Sequence, residues 1–125
     1  MHGKREKNAE QNDLEVCEMI LMLEITFPAP KAEEVAQAFI DDLQANPMPD
    51  YVKFVEEYIR WGADGMKTHT YYDLEKGKEE EGLRYVTAHE LAMTKAVDGF
   101  RVLDCTPVYR MAEAYSVINM KGPAV

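Results

Sequence analysis

The stretch "YIRWGADGMKTHTYYDL", Tyr58 to Leu74, decides the fold of this chain. Two runs rich in aromatic and β-branched residues flank the sequence Gly-Ala-Asp-Gly at residues 62–65. Such runs favour β-strands, and a short glycine-containing connection between them is typical of a β-hairpin. We therefore predict a hairpin over residues 51–74. A helix over residues 50–60 is the weaker alternative, because the same side chains favour a strand.

The segments on both sides of the hairpin carry alternating strand and helix patterns. Residues 19–27, "MILMLEITF", place an apolar side chain at every second position, which predicts a strand with one buried face. Residues 31–45 and 77–98 have apolar residues at helical spacing and acidic residues near their start, which predicts two amphipathic helices. Residues 100–109 are predicted to form a last strand. The sequence "RMAEAYSVI" that follows predicts a short terminal helix or arm.

The predicted order of elements is therefore β-α-β-β-α-β. Two helices that bury their apolar stripes on one face of an antiparallel sheet give an α+β, ferredoxin-like sandwich. A chain of 125 residues holds one such core. We predict a flexible polar tail over residues 1–13 and a single domain over residues 14–125.

Composition limits the classes of partner. The formal net charge is −9, and no basic stretch offers the surface that phosphate groups require, so neither nucleic acid nor a membrane surface is expected as a partner. The tail lacks the apolar centre of a signal peptide, and the two cysteines, Cys17 and Cys105, have no CxxC spacing. Two reduced thiols and a cytoplasmic location are the expectation.

The hairpin pairing divides its side chains between two faces of the sheet. Even-numbered residues of the first strand share a face with odd-numbered residues of the second, whether the loop has two or four residues. The face predicted to lie under the helices carries Val55, Ile59, Trp61, Met66, Thr68, Thr70, Tyr72 and Leu74. The face predicted to lack a helical cover, called the open face from here on, carries Glu56, Tyr58, Arg60, Lys67, His69, Tyr71 and Asp73, joined by Glu24 and Thr26 of the first strand. A bare amphipathic face of this kind is a common site for a second subunit.

The chain resembles the dimeric α/β-barrel superfamily over about residues 19–110. The segments "MLEITFPAP", "YIRWGADGMKTHTYYDL" and "VDGFRVLDCTPVY" carry the resemblance. It implies a homodimer with the two sheets face to face. The superfamily includes cofactor-free monooxygenases that act on aromatic polyketides, haem-degrading enzymes, muconolactone isomerase-like enzymes and stress-responsive proteins. Its members share no single catalytic set, so the resemblance assigns no catalytic residue.

Two open-face residues are candidates for acid–base chemistry. The pKa of a histidine lies near neutrality, and His69 has Tyr58, Arg60 and Tyr71 as predicted neighbours. An inert interface histidine explains the same position. Glu24 interrupts an apolar strand, so it serves either as a base or as half of an ion pair with Arg60 or Lys67.

His89 raises the question of a cofactor. Some haem-degrading members of the resembled superfamily bind iron through a histidine on a helix. The surrounding "TAHELAM" matches no haem motif, so the preferred interpretation is a packed ring with one nitrogen exposed to water. The sequence shows no cluster with the spacing of metal ligands. No cofactor and no metal are therefore predicted.

These observations lead to one functional hypothesis and one alternative. The hypothesis is a homodimer that binds a small organic molecule, such as an aromatic one, between the sheets or between sheet and helices, with cofactor-free monooxygenase-like or isomerase-like chemistry. The residues predicted to bind it are Glu24, Tyr58, Arg60, His69 and Tyr71. The alternative is a non-catalytic sensor or interaction module whose polar sheet face is the dimer interface. An enclosed pocket of a few hundred cubic ångströms, roughly the size of known ligand sites, would favour ligand binding.

Overall fold

The computed structural model describes residues 19–123 of the chain. The predicted tail and Cys17 lie outside the described residues. The described part contains four strands, three α-helices and one 3₁₀ turn. They are β1 (Met19–Phe27), the 3₁₀ turn Ala29–Lys31, α1 (Ala32–Ala45), β2 (Val52–Gly62), β3 (Gly65–Leu74), α2 (Glu79–Ala96), β4 (Arg101–Val108) and α3 (Met111–Val117).

The four strands form one antiparallel sheet in the order β2-β3-β1-β4. The predicted order of elements and the α+β class are confirmed, and the connectivity is compatible with a ferredoxin-like fold. The predicted hairpin, both long helices and the terminal helix are all present. In the part of the chain that the structure describes, no helix combines the length and apolar character needed to cross a membrane.

The core lies between β1, β3 and α2. Alternate residues of β1 are buried because the pleat points them to the same face. They pack with residues of α2 at helical spacing and with the residues that follow this helix. The members of this core include Leu21, Leu23, Ile25, Phe27, Leu74, Val86, Met93, Val97 and Phe100. α2 covers this face of the sheet, and Arg110, the residue before α3, reaches Asp73 on the opposite face at 3.8 Å.

The hairpin turn is tight and depends on one glycine. Gly62 pairs with Gly65, so Ala63 and Asp64 alone form the turn. Gly65 has φ +112°, a conformation that side chains other than that of glycine rarely adopt. A Cβ atom at this position would also lie 2.7 Å from the carbonyl oxygen of Phe27. The close approach of the turn to the end of β1 therefore requires glycine.

The register confirms the predicted faces near the turn and corrects them further away. Ile59 pairs with Thr68, and Tyr58 pairs with His69. A β-bulge between Phe54 and Glu56 then shifts the register, so Phe54 takes the position opposite Tyr72 on the helix-facing side. Val55, predicted to lie in the core, is 51% exposed because it occupies the bulge.

Trp61 also differs from the prediction. The strand pattern places it in the core, but it is 75% exposed. Its side of the sheet is the predicted one, since it pairs with Met66. α2 packs against β3 and β4, and the turn end of the edge strand β2, which carries Trp61, lies beyond this contact. This uneven cover leaves space between the sheet and α1.

Candidate functional site

A cavity of about 350 Å³ lies between the sheet and the two long helices. The strands contribute alternate residues of β1, β2 and β3, and the helices contribute one side each of α1 and α2. Most of the lining is apolar. The lining residues are Leu23, Ile25, Phe27, Ala32, Val35, Ala36, Phe39, Ile40, Glu57, Ile59, Met66, Thr68, Thr70, Tyr72, His89, Glu90, Met93 and Phe100.

The polar residues of the cavity come from three elements. β2 supplies Glu57, and β3 supplies hydroxyl groups from Thr68, Thr70 and Tyr72, which share a face because they alternate along the strand. α2 supplies His89 and Glu90 from its buried side. Lysine and arginine are absent from the lining contributed by the described residues. The site therefore combines apolar walls with two carboxyl groups and several hydroxyl groups.

Glu90 is the most unusual residue of this site. It is 8% exposed, and its Oε1 atom has no hydrogen-bond partner among residues 19–123. Its other carboxyl oxygen, Oε2, lies 3.8 Å from Nε2 of His89. Burial raises the pKa of Glu90 to about 8, and the negative charges of Glu57 and Asp42 add to this effect. At neutral pH the carboxyl group is therefore mainly protonated and able to donate a hydrogen bond.

Glu57 provides a second carboxyl group on the opposite wall. It lies across from Thr70 in the hairpin register, and burial raises its pKa above the usual range. The hydroxyl groups of Thr68 and Thr70 oppose part of this rise by interacting with the charged form. Thr68 is 2% exposed, and although it influences Glu57, its Oγ1 makes no hydrogen bond of good geometry within the described chain. In the described chain, Glu90 Oε1 and Thr68 Oγ1 are thus two buried oxygens of the cavity wall that make no hydrogen bond of good geometry.

His89 connects the cavity to the outside of the helix layer. Its Nδ1 lies 2.5 Å from Oδ2 of Asp42 on α1, and its ring packs edge-on against Phe39. Since a carboxylate only accepts hydrogen bonds, Nδ1–H is the donor. The expectation of a ring nitrogen exposed to water is wrong, because His89 is 5% exposed and both nitrogens face carboxyl groups. Asp42, His89 and Glu90 form a line of titratable groups from the surface to the cavity.

Tyr72 closes the polar part of the cavity from the sheet side. Burial raises the pKa of its phenol well above the ordinary value, and the nearby charges of Glu90 and Glu57 act in the same direction. The group therefore stays an O–H donor at every physiological pH. Hydrogen-bond donors and acceptors are both present around one apolar space, which suits a ligand with an apolar body and one polar group.

The residues predicted from the sequence to bind a ligand lie on the other side of the sheet. Glu24 lies 3.6 Å from Nζ of Lys67 and 3.3 Å from Nε2 of His69, which confirms the expected ion-pair partner Lys67. Tyr58 is opposite His69 and contacts the ring of Tyr71 edge-on at 6.3 Å between ring centroids.

Arg60, the fifth of these residues, pairs with Lys67 nearer the turn. The structure therefore brings the five residues to one face, but none of them lines the cavity. Their role in ligand binding stays a prediction.

The carboxyl groups of the cavity are absent from the set of residues predicted to form a site, although the sequence contains a signal for each. Glu90 follows Val86 by four residues and precedes Met93 by three, so it lies within the buried stripe of α2. Glu57 is odd-numbered like Ile59 and Trp61 on the same strand, so its side chain belongs to the helix-facing side. A carboxyl group at a position that the pattern assigns to the core is the signal that identifies both.

Two further observations bear on the chemistry of the site. Within residues 19–123, no group of three or more His, Cys, Asp and Glu side chains is arranged to hold a metal ion. Comparison of the chain with family models, curated proteins and solved structures finds no match. The function is therefore inferred from the geometry of the cavity.

Proposed function

We propose that this protein is a homodimer that binds a small, largely apolar organic molecule in the cavity between sheet and helices. The observation that carries the proposal is an apolar cavity whose wall holds two buried oxygens, Glu90 Oε1 and Thr68 Oγ1, that make no hydrogen bond of good geometry within residues 19–123. A buried polar group that makes no hydrogen bond costs about 1–3 kcal/mol. A ligand that supplies the missing partners would offset this cost, which is the usual basis of a selective site.

The size of the cavity supports the same conclusion. Small-molecule sites typically enclose roughly 300–1,000 Å³. The volume of about 350 Å³ lies within this range, and the lining includes aromatic rings from Phe39, Tyr72 and Phe100. An aromatic or similarly flat molecule fits this composition, because aromatic side chains pack well against such rings.

Proton transfer is the chemistry that these groups support best. Glu90 can give up and take back a proton near neutral pH, and Glu57 offers a second carboxyl group on the opposite wall. An isomerase-like reaction, in which one proton leaves the ligand and another is added, uses each of these groups and fits one activity among those of the resembled superfamily.

The dimer is proposed from the open face of the sheet. This face carries apolar side chains, Ile20, Met22 and Tyr71, next to the Glu24, Lys67 and His69 cluster. Such a mixture of apolar and paired polar groups is typical of a subunit interface. Two sheets packed through these faces would give the arrangement that the resemblance implies.

A non-catalytic sensor or interaction module is the second candidate. The charged groups of the open face support it, because Glu24 already has two partners within its own chain and needs no ligand. In this case the open face is a structural interface, and the cavity has no occupant.

Native mass spectrometry of protein purified gently from its own cells tests the proposal. The expected result is a dimer mass plus a reproducible additional mass. The variant Ile59→Trp, which adds bulk at a position that lines the cavity, should lose the additional mass. Val55→Trp is the matched control, since Val55 lies on the same strand outside the cavity. A dimer without additional mass would favour the interaction module, and a monomer would contradict the proposed assembly.

A further inference from the structure

We propose that the ligand is an organic amine whose ammonium group is held by Glu90 and Glu57 while its apolar body fills the rest of the cavity. This inference rests on the proposed function and adds the chemical class of the ligand. Charge, hydrogen-bonding capacity and proton linkage each support it.

The charges around the cavity favour a cation. Glu57 and Glu90 belong to the lining, and Asp42 approaches from α1 through His89. In the described part of the chain, no lysine or arginine contributes to the lining that would balance these carboxyl groups. The whole chain has a formal net charge of −9. Ionised carboxyl groups here would repel an anionic ligand and attract a cation.

The hydrogen-bonding capacity of the wall points in the same direction. Glu90 Oε1 and Thr68 Oγ1 are buried oxygens without partners in residues 19–123, and Glu57 adds a carboxyl group next to Thr70. An ammonium group offers three donors and no acceptor, so it can satisfy several oxygens at once. Hydrogen bonds in which the donor or the acceptor is charged are roughly twice as strong as neutral ones. A hydroxyl group offers only one donor.

Proton linkage gives the inference a distinctive signature. The titratable groups that interact with Glu90 are Glu57 and Tyr72 from the hairpin, Cys105 from β4, His89 from α2 and Asp42 from α1. Burial raises the pKa of Glu90 to about 8, so its carboxyl group is mainly protonated at pH 7 before a ligand binds. An ammonium group bound next to it would favour the charged carboxylate. Binding would therefore release a proton into the buffer, whereas a neutral ligand would release none.

The test compares three probes with the same indole body: tryptamine, tryptophol and indole-3-acetate. Their affinities are measured by calorimetry at pH 7 in two buffers with different heats of ionisation. We expect tryptamine to bind at least about tenfold more tightly than tryptophol, with indole-3-acetate the weakest. We also expect release of about one proton per bound tryptamine. Glu90→Gln should remove the proton release and most of the preference for the amine.

Glu57→Gln and Glu56→Gln form a matched pair of variants. The two residues are adjacent on β2, and only Glu57 lines the cavity. Glu57→Gln should weaken tryptamine binding about tenfold, and Glu56→Gln should leave it unchanged. Because the order of the three probes is measured on the unmodified protein, the result does not depend on whether a variant folds.

The outcomes separate this inference from the proposed function. If tryptophol or indole-3-acetate binds as tightly as tryptamine, the cavity is a ligand site but the amine assignment is wrong. If tryptamine binds without proton release, Glu90 does not hold the ammonium group and the inference fails. If none of the three binds, the amine assignment is overturned, and the additional mass on the purified protein decides the proposed function independently.

Discussion

Glu90 illustrates what a single residue contributes to this protein. A carboxyl group in the buried stripe of a helix lowers stability unless something in the structure or a ligand compensates for it. Its second oxygen lies 3.8 Å from Nε2 of His89, which is beyond hydrogen-bond distance. The position is more consistent with binding than with packing, because an apolar residue of similar size would fill the same place at lower cost.

The stability of the protein should therefore depend on the protonation of Glu90. Its folded-state pKa of about 8 lies above the ordinary value of 4.5, so the folded state binds more protons than the unfolded state between these values. Stability is lost as the pH rises through this window, by at most about 1.4 kcal/mol per pH unit. We expect Glu90→Gln, which cannot ionise, to be more stable than the parent protein at pH 8 by roughly 2–4 kcal/mol. The two proteins should converge near pH 5, as measured by urea unfolding across this range.

The other groups around Glu90 must be considered in this experiment. Burial also raises the pKa of Glu57, and its charge acts on Glu90, so Glu57→Gln and the double variant are measured beside Glu90→Gln to separate the two contributions. A Glu90→Gln variant that is less stable than the parent at pH 8 would show that the carboxylate has a favourable partner. That result would contradict the proposed protonation state.

His69 provides the residue-scale test of the open face. Its Nε2 lies 3.3 Å from Glu24, which keeps Lys67 as a second partner after a substitution. We expect His69→Ala to cost less than about 1 kcal/mol of stability, because partly exposed ion pairs contribute little. Ligand binding in the cavity should be unchanged, as measured by calorimetry with tryptamine. Loss of binding in His69→Ala or Arg60→Ala, with folding intact, would instead support the open-face site.

At the scale of elements, the hairpin of β2 and β3 positions most of the polar lining. The turn at residues 63–64 fixes the register, and the register places Glu57 opposite Thr70. A change at the turn therefore reaches the cavity through the pairing of the strands. Gly65 is the residue on which this turn depends.

Gly65→Ala should be considerably more damaging than a substitution at another glycine with positive φ. Gly77 has φ +90°, and a Cβ atom added there would have no other atom within 4 Å, so Gly77→Ala measures the conformational cost alone, about 1–2 kcal/mol. Gly65→Ala adds the 2.7 Å contact with the carbonyl oxygen of Phe27. We expect at least about twice the loss of unfolding free energy, measured by urea denaturation. Equal losses would mean that the turn moves away from β1 without cost.

The same elements show how far the sequence predicts this structure. Alternation in β1 and helical spacing in α2 predict these elements well, because each pattern reflects burial on one face. The alternation of residues does not predict the bulge at Val55, which returns Phe54 to the helix-facing side, where its ring centroid lies 6.2 Å from that of Tyr72. The exposure of Trp61 depends on where the helices lie across the sheet. Both features arise from tertiary packing, which the local pattern does not contain.

The sequence likewise predicts some parts of the candidate site and not others. The open-face cluster of Glu24, Lys67 and His69 follows from the alternation of side chains along the strands, which can be read from the sequence. The cavity depends on the distance between α1 and β2, which no periodicity encodes. Glu57 and Glu90 are recognisable as carboxyl groups at core positions, but only the structure shows that they line the same space.

At the scale of the whole molecule, the proposed homodimer can be tested by one substitution on each face of the sheet. Met22 lies on the open face opposite Tyr71, and Trp61 is exposed on the helix-facing side. Met22→Lys would bury a charge in each half of the interface, so it should raise the dimer dissociation constant at least about a hundredfold. Trp61→Lys should leave it unchanged. Analytical ultracentrifugation measures both, and dissociation caused by Trp61→Lys alone would place the interface on the other face.

The location of the ligand is the property that connects all three scales, and methyl NMR measures it directly. Met66 and Met93 line the cavity, whereas Met22 lies on the open face, so methionine methyl groups labelled with ¹³C report on both sides of the sheet. Titration with tryptamine should shift the resonances of Met66 and Met93 and leave that of Met22 in place. Shifts confined to Met22 would contradict the cavity as the binding site and would assign ligand binding to the open face.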